Sequence, residues 1–265
     1  MTPTTVGCMR RITPYVRVAV LGSVLWLAAC GGGASNESSQ PTQQQDPQSS
    51  ATNETSSAPE PESQQSSPGV FAIESLPLDL AADVWQWPTD VSSWPASQFP
   101  PVHLFGKDYK GKIEATLTFD MLKVGTVVLS PVSGQVVDVR AQPESCDVEL
   151  YIGDGSAPPI SLDHIVTNLK RGDVVTAGQA VGTVPARDCK ESFGHLELMV
   201  IGESGGQMLA LCPVNFFSDE LAATALPAIA QVMNDWNAYV GSKGGVTYSA
   251  AEIAQGVCAT PTAPA

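Results

Sequence analysis

Two ionisable side chains stand two residues apart in the otherwise apolar stretch SFGHLELMV, residues 192–200. Alternate side chains of a strand point to the same face, so His195 and Glu197 are expected side by side. An imidazole can transfer protons, and a carboxylate beside it can share a metal ion. The stretch therefore suggests a catalytic or metal-binding site, or the remains of one.

Short runs rich in β-branched residues precede this stretch, with Gly, Pro, Asp and Ser between them. This pattern predicts a mainly antiparallel sheet or a barrel-like sandwich. The predicted strands are residues 116–119, 125–129, 135–140, 148–152, 174–175, 180–184 and 195–200.

The sequence after Cys212 has helical character. Ser218 can cap a helix that carries an apolar stripe at helical spacing, and we interpret this stripe as core. The stripe consists of Ile229, Val232, Met233, Trp236 and Val240. Pro227 is expected to start a second segment or to kink the first. A capping box at Ser249 and Glu252, with Gly256 as the stop, predicts a further short helix.

The N-terminus has the pattern of a bacterial secretory signal. Three arginines (Arg10, Arg11, Arg17) precede an apolar run, residues 18–27, that is too short to span a bilayer comfortably. The following LAAC sequence resembles a lipobox, which implies lipidation of Cys30 and a signal peptide of residues 1–29. The alternative is a membrane-spanning helix with an incidental cysteine. Because Gly31 and not Asp follows Cys30, we expect an outer-membrane lipoprotein.

Residues 30–68 consist mostly of Ser, Gln, Thr, Pro, Asn and Glu, and we predict a disordered tether here. A β domain over residues 69–202 and a helical extension over residues 203–265 are expected to follow. The net charge of −14 becomes −17 on removal of residues 1–29, which contain three arginines and no acidic residue. This charge argues against nucleic acid as a partner.

Four cysteines lie beyond Cys30: Cys146, Cys189, Cys212 and Cys258. An even number in an exported chain predicts two disulfides, and four cysteines allow three connectivities. We prefer Cys146–Cys189, which brackets part of the β-rich segment, and Cys212–Cys258, which brackets the helices. A zinc site is the competing interpretation, but no C-x-x-C spacing supports it.

Aromatic residues are concentrated just before the first predicted strand. Trp85, Trp87, Trp94 and Phe99 alternate with prolines in this stretch. Exposed tryptophans could stack on sugars, but tryptophan beside proline more often packs a lead-in segment over a core, which is the interpretation we favour.

Several segments, in the right order over about residues 83–200, together resemble the lysostaphin and LytM type of zinc peptidoglycan endopeptidase. The quoted segments are WQWP (85–88), FG (105–106), FD (119–120), GTVV (125–128), SPVSGQV (130–136), LDHI (162–165), RGDVVTAGQAVG (171–182) and GHLE (194–197). The glycine–valine segments also occur in biotinyl- and lipoyl-type carrier domains. The placements of His164 and His195 favour the peptidase type, since a carrier would need an exposed lysine flanked by Met.

The resemblance implies a lysostaphin-like antiparallel fold and a zinc ion with three protein ligands and one open position. The implied ligand positions are Thr116, Asp120 and Glu197, of which only Asp120 keeps the family's residue. His164 and His195 stand at the positions of the catalytic histidines. Glutamate can bind zinc, but threonine is a poor ligand, so zinc binding is doubtful. His103 matches no family position, and we interpret it as a structural residue.

These observations lead us to expect a non-catalytic envelope lipoprotein, held to the membrane by a lipid on Cys30. Its groove would bind peptidoglycan or a partner protein, and so regulate a cell-wall hydrolase. The alternative is an active zinc endopeptidase with substituted ligands at Asp120 and Glu197.

Overall fold

The computed structural model describes residues 71–80, 83–91, 99–154, 159–260 and 262–264. The predicted signal peptide, Cys30, the tether and Trp94 lie outside these residues. The chain divides into two compact units, and all described residues belong to the second, Ser63–Ala265. No helix in the described ranges is long and apolar enough to cross a membrane.

The described residues form a mainly antiparallel β structure with two α-helices near the C-terminus, so the predicted fold class is confirmed. The strands are β1 (Val102–His103), β2 (Asp108–Tyr109), β3 (Lys112–Ile113), β4 (Leu117–Lys123), β5 (Val127–Leu129), β6 (Gly134–Gln142), β7 (Asp147–Gly153), β8 (Ile160–Ile165), β9 (Val174–Val175), β10 (Ala180–Thr183), β11 (Phe193–Ser204), β12 (Gln207–Leu211) and β13 (Thr262–Pro264). The helices are α1 (Asp219–Val240) and α2 (Ala250–Gln255).

One sheet of nine strands dominates the fold. Its main path runs β1-β4-β11-β8-β7-β6-β9, and β12 pairs with the far end of β11 and with β13. The strands β5 and β10 form a separate pair, as do β2 and β3. The central position of β11 explains its apolar sequence, because Leu196, Leu198 and Val200 are fully buried.

The C-terminal segment is more than a helical extension. Strand β12 follows β11 and pairs with it before α1 begins. After α2 the chain returns to the sheet as β13, which pairs with β12. Helix α1 is continuous through Pro227, so no second segment starts at this residue. Ser218 caps α1 by accepting the backbone N–H of Leu221, and Ser249 and Glu252 form the predicted capping box of α2.

The apolar stripe of α1 is buried and shares one core with the sheet and the aromatic lead-in. Trp87 packs edge-to-face on Trp236, with 5.7 Å between ring centroids, and also lies against Tyr239. Trp85 packs against the same core, and its backbone forms an antiparallel β-bridge with Leu122 of β4. These contacts favour the packing interpretation of Trp85 and Trp87 over the sugar-stacking one.

Two disulfides hold segments that are distant in sequence. The structure pairs Cys146 with Cys189 and Cys212 with Cys258, the connectivity preferred from the sequence. The first links the β6–β7 turn to a 3-10 turn, Arg187–Cys189, that precedes β11. The second links the end of β12 to the segment after α2.

Candidate functional site

The site lies on one face of four neighbouring strands, β1, β4, β11 and β8, at the β1 end of the nine-stranded sheet. His103 of β1 is in register with Thr118 of β4, Thr118 with Glu197 of β11, and Glu197 with Asp163 of β8. Residues in register across neighbouring strands point to the same face, so these four side chains form one row. The alternation of β4 adds Asp120 to the same face, and Thr116, just before β4, contacts Thr118 on that face.

A groove of about 140 Å³ runs along this face. Its walls combine two aromatic rings with charged and polar groups, including both residues predicted as metal ligands. The lining residues are Phe99, His103, Tyr109, Lys112, Glu114, Thr118, Asp120, Arg187, His195 and Glu197.

Asp120 is committed to partners within the protein. Its carboxylate accepts a hydrogen bond from Arg187 Nη1 at 2.9 Å, and its other oxygen accepts the backbone N–H of Met121 at 2.7 Å. The Asp120 side chain is only 4% exposed. A guanidinium is permanently charged and cannot become a metal ligand, so Arg187 supplies the positive charge that the resemblance assigns to a metal ion.

A close backbone approach next to β11 brings the segment that precedes Arg187 over the groove. A Cβ atom on Gly194 would lie 2.1 Å from the carbonyl oxygen of Pro185, so only glycine fits at this position. The Cys146–Cys189 disulfide fixes the segment on its other side. The sequence does not predict a role for Arg187, because its contact with Asp120 depends on the path of this loop.

Thr116 takes part in a polar network and cannot replace the histidine that the resemblance implies. Its hydroxyl lies 2.7 Å from Thr118 Oγ1, 2.8 Å from a Glu114 oxygen and 3.3 Å from Glu197 Oε2. Of the three predicted positions, Asp120 and Glu197 line the groove and Thr116 lies against Glu197, but they offer no imidazole, and Asp120 is paired with a cation. This set does not fit the three-ligand zinc site of the resemblance.

His103 lies in the groove and contacts two acids there. Its Nδ1 is 3.3 Å from Glu114 Oε2, and its Nε2 is 3.7 Å from Asp120 Oδ2. Burial raises the pKa of Glu114, but the hydrogen bonds from His103 and Thr116 outweigh it and leave this pKa below its usual value. No local pattern in the sequence indicates this placement, because β1 has only two residues.

His164 and His195 lie together, with 3.8 Å between ring centroids. His164 has a φ of 62°, in the left-handed region that non-glycine residues rarely adopt, and its backbone N–H is accepted by Asp163 Oδ1 at 2.7 Å. Its Nδ1 lies 2.8 Å from Oδ2 of the buried Asp147.

Burial shifts the pKa values of His195 and Glu197 in opposite directions. It lowers the pKa of His195 to about 2, with help from His164 and Arg187, so this imidazole is neutral at pH 7. Burial also raises the pKa of Glu197 above its usual value, and the nearby Glu114 and Asp163 add to this, whereas His164 opposes it. His195 is thus a neutral imidazole whose Nδ1 has no hydrogen-bond partner among the described residues.

Comparisons with known proteins give structural neighbours only. No family model matches the chain, and no curated protein matches it. Lysostaphin is a structural neighbour with 20% identity over 44% of this chain and a TM-score of 0.35, and the match spans about half (49%) of the lysostaphin chain. A zinc-containing peptidase from Vibrio cholerae has 23% identity over 49% of this chain and 36% of its own, with a TM-score of 0.34.

A chain of the SpoIIQ–SpoIIIAH pore-forming complex is another neighbour, with 14% identity over 59% of this chain and 99% of its own, and a TM-score of 0.37. The neighbours thus include the kind of peptidase that the motifs resemble. At this level of similarity the neighbours say nothing about the chemistry of the groove.

Proposed function

We propose that this protein is a non-catalytic envelope lipoprotein whose groove binds peptidoglycan and so regulates or recruits a cell-wall hydrolase. The ion pair between Arg187 and the buried Asp120 carries this proposal, because it removes a carboxylate from metal binding. A hydrolytic zinc needs fixed protein ligands and an open position, and Thr116 and Asp120 do not provide them. The lipid on Cys30 and the outer-membrane location belong to this proposal as expectations from the sequence.

The walls of the groove are suited to binding. Phe99 lies 5.4 Å from the His103 ring and 5.8 Å from the Tyr109 ring, measured between centroids, so an aromatic surface borders the polar row. Aromatic faces next to hydrogen-bonding groups are suited to sugars and to peptide backbones. Both chemistries occur in peptidoglycan.

Co-sedimentation with insoluble peptidoglycan tests this proposal. We expect the wild-type protein to pellet and the Phe99→Ser variant to pellet at least about fivefold less, because the variant loses part of the aromatic wall. Val174→Ser is the matched control, since Val174 is 72% exposed on β9, at the opposite edge of the sheet. Wild-type protein that stays in solution, or equal losses in both variants, would contradict peptidoglycan binding by the groove.

The alternative is an active zinc endopeptidase with substituted ligands. One observation bears on it: His164, His195 and Glu197 each place a ligand atom within 4.8 Å of the others, so the groove keeps a group that could hold a metal ion, with both histidines as ligands. Zinc-dependent release of muropeptides by the wild-type protein would establish this alternative.

A further inference from the structure

A second cluster of metal-ligating groups lies beside the family-like position. We infer that His164, His195 and Glu197 form a relocated site for a divalent transition metal, with zinc as the best match. Each residue offers one ligand atom, and these atoms all lie within 4.8 Å of one another. The site shares Glu197 with the ligand set implied by the resemblance but uses neither Thr116 nor Asp120.

The distances suit a metal after small side-chain adjustments. His164 Nε2 lies 4.0 Å from Glu197 Oε1. Two ligand atoms on a tetrahedral zinc with bonds of about 2.0 Å are about 3.3 Å apart, so each side chain needs to move by less than about 1 Å. Neutral imidazole and carboxylate are both accepted zinc ligands.

Asp147 orients His164 as a metal ligand requires. It lies 2.8 Å from His164 Nδ1, is 2% exposed, and accepts a further hydrogen bond from Ser145 Oγ at 2.6 Å. A carboxylate that accepts the Nδ1–H group holds the proton on that nitrogen and leaves Nε2 free to bind metal. The contact between Asp147 and His164 involves neither of the other two proposed ligands, so it is a separate observation.

His195 supplies a second observation. The residue is 91% buried, and its Nδ1 has no hydrogen-bond partner among the described residues. Buried polar atoms are rarely left unpaired, and the exceptions call for an explanation. A metal bound by this imidazole would fix its tautomer and offset the cost of its burial.

Charge favours this position over the one at Asp120. Arg187 lies 2.9 Å from Asp120 and repels a cation there. Its charge also reaches His195, but at the proposed site Glu197 and Asp163 lie close to His164 Nε2, the latter at 3.8 Å. When both histidines bind a metal, neither is available as a general acid or base. The relocated site is therefore compatible with a groove that binds metal and does not cleave its ligand, and metal binding can be measured separately from peptidoglycan binding.

Zinc titration of the full chain, purified with its disulfides intact and stripped with a chelator, tests the inference. We expect one equivalent of Zn²⁺ to bind. His164→Gln should lower the affinity at least about 100-fold, and Asp147→Asn about 10- to 100-fold, because it loses only the orienting carboxylate. The matched controls His103→Gln and Asp120→Asn should stay within about threefold of wild type.

The histidine NMR signals give a second readout, because the chain has only three histidines. Zinc should shift the ring signals of His164 and His195 and leave those of His103 in place. The absence of stoichiometric binding by the wild type would overturn the relocated site. Binding that falls with Asp120→Asn or His103→Gln but not with His164→Gln would also overturn it, because the metal would then lie at the family-like position.

Discussion

A buried carboxylate requires a compensating charge, and in this groove Arg187 provides it for Asp120. Isolated ions are costly to bury, and a paired ion becomes costly once its partner is removed. Most of the Asp120 side chain is inaccessible to water, while that of Arg187 is 36% exposed. Water therefore partly screens this ion pair, and its contribution to the free energy of unfolding is expected to be smaller than that of a fully buried pair.

Arg187→Ala should lower the free energy of unfolding by about 2 kcal/mol, because it leaves Asp120 with the Met121 N–H and the more distant His103. Lys123→Ala is the matched control, since it removes a lysine paired with Asp83, whose side chain is 89% exposed. This control should cost less than about 0.5 kcal/mol. Urea denaturation measures both, and equal losses would show that the Arg187 pair has no special role.

His195 makes stability depend on pH in a defined window. Its folded pKa of about 2 lies below the unfolded value of 6.5, so between these values the unfolded chain binds the extra proton. Its contribution to stability is therefore complete above pH 6.5 and is lost as the pH falls below it. Glu197, with a raised pKa, has the opposite sign and loses its contribution as the pH rises through its folded pKa.

Between pH 6.5 and pH 5 the His195 contribution amounts to about 2 kcal/mol. We expect His195→Gln to remove this part of the acid destabilisation, so that the variant's stability falls less steeply than that of wild type over this range. Denaturation at several pH values in the presence of a chelator measures the two slopes. Identical slopes would mean that the imidazole is not held neutral in the fold.

Among the elements, long and strongly patterned segments could be predicted from the sequence. The alternation in β11 and the helical stripe of α1 reflect burial on one face, which the sequence records residue by residue. The pairs β1–β4 and β12–β13 could not be predicted, because strands of two and three residues are defined by their partners. For this reason the segment beyond residue 202 was expected to be helical and contains two strands as well.

The same distinction holds for the site. Asp120, His164, His195 and Glu197 lie within recognisable motifs, and the structure brings them to one face. His103 depends on the pairing of β1, and Arg187 depends on a turn with left-handed residues at Asp188 and Cys189. A contact between residues 67 positions apart, such as that of Asp120 with Arg187, leaves no local pattern in the sequence.

The Cys212–Cys258 bridge joins β12 to the segment that leads into β13. The Cys212→Ala and Cys258→Ala double variant should lose about 3–4 kcal/mol of stability, because the disulfide spans 46 residues and restricts the unfolded chain. The Cys146→Ala and Cys189→Ala double variant, with a span of 43, is the comparison and should lose a similar amount. Denaturation without reductant measures both. A loss below about 1 kcal/mol in the first variant would contradict a stabilising role for this bridge.

At the scale of the whole molecule, a predicted tether precedes a domain whose groove lacks two of the three metal-ligand residues that the resemblance implies. The groove has an aromatic wall and a row of polar groups. Arg187 stabilises Asp120, so the groove can persist without a metal ion at that position. This arrangement supports the proposed binding without cleavage.

Muropeptide release tests this central claim most directly. The purified protein, with Zn²⁺ added, is incubated with peptidoglycan, and the soluble products are identified by mass spectrometry. We expect no fragments above the level of a protein-free control, while the protein itself is recovered in the insoluble fraction. Release of muropeptides by the wild type, abolished by Glu197→Ala, would contradict the account and identify the groove as the active site of an endopeptidase.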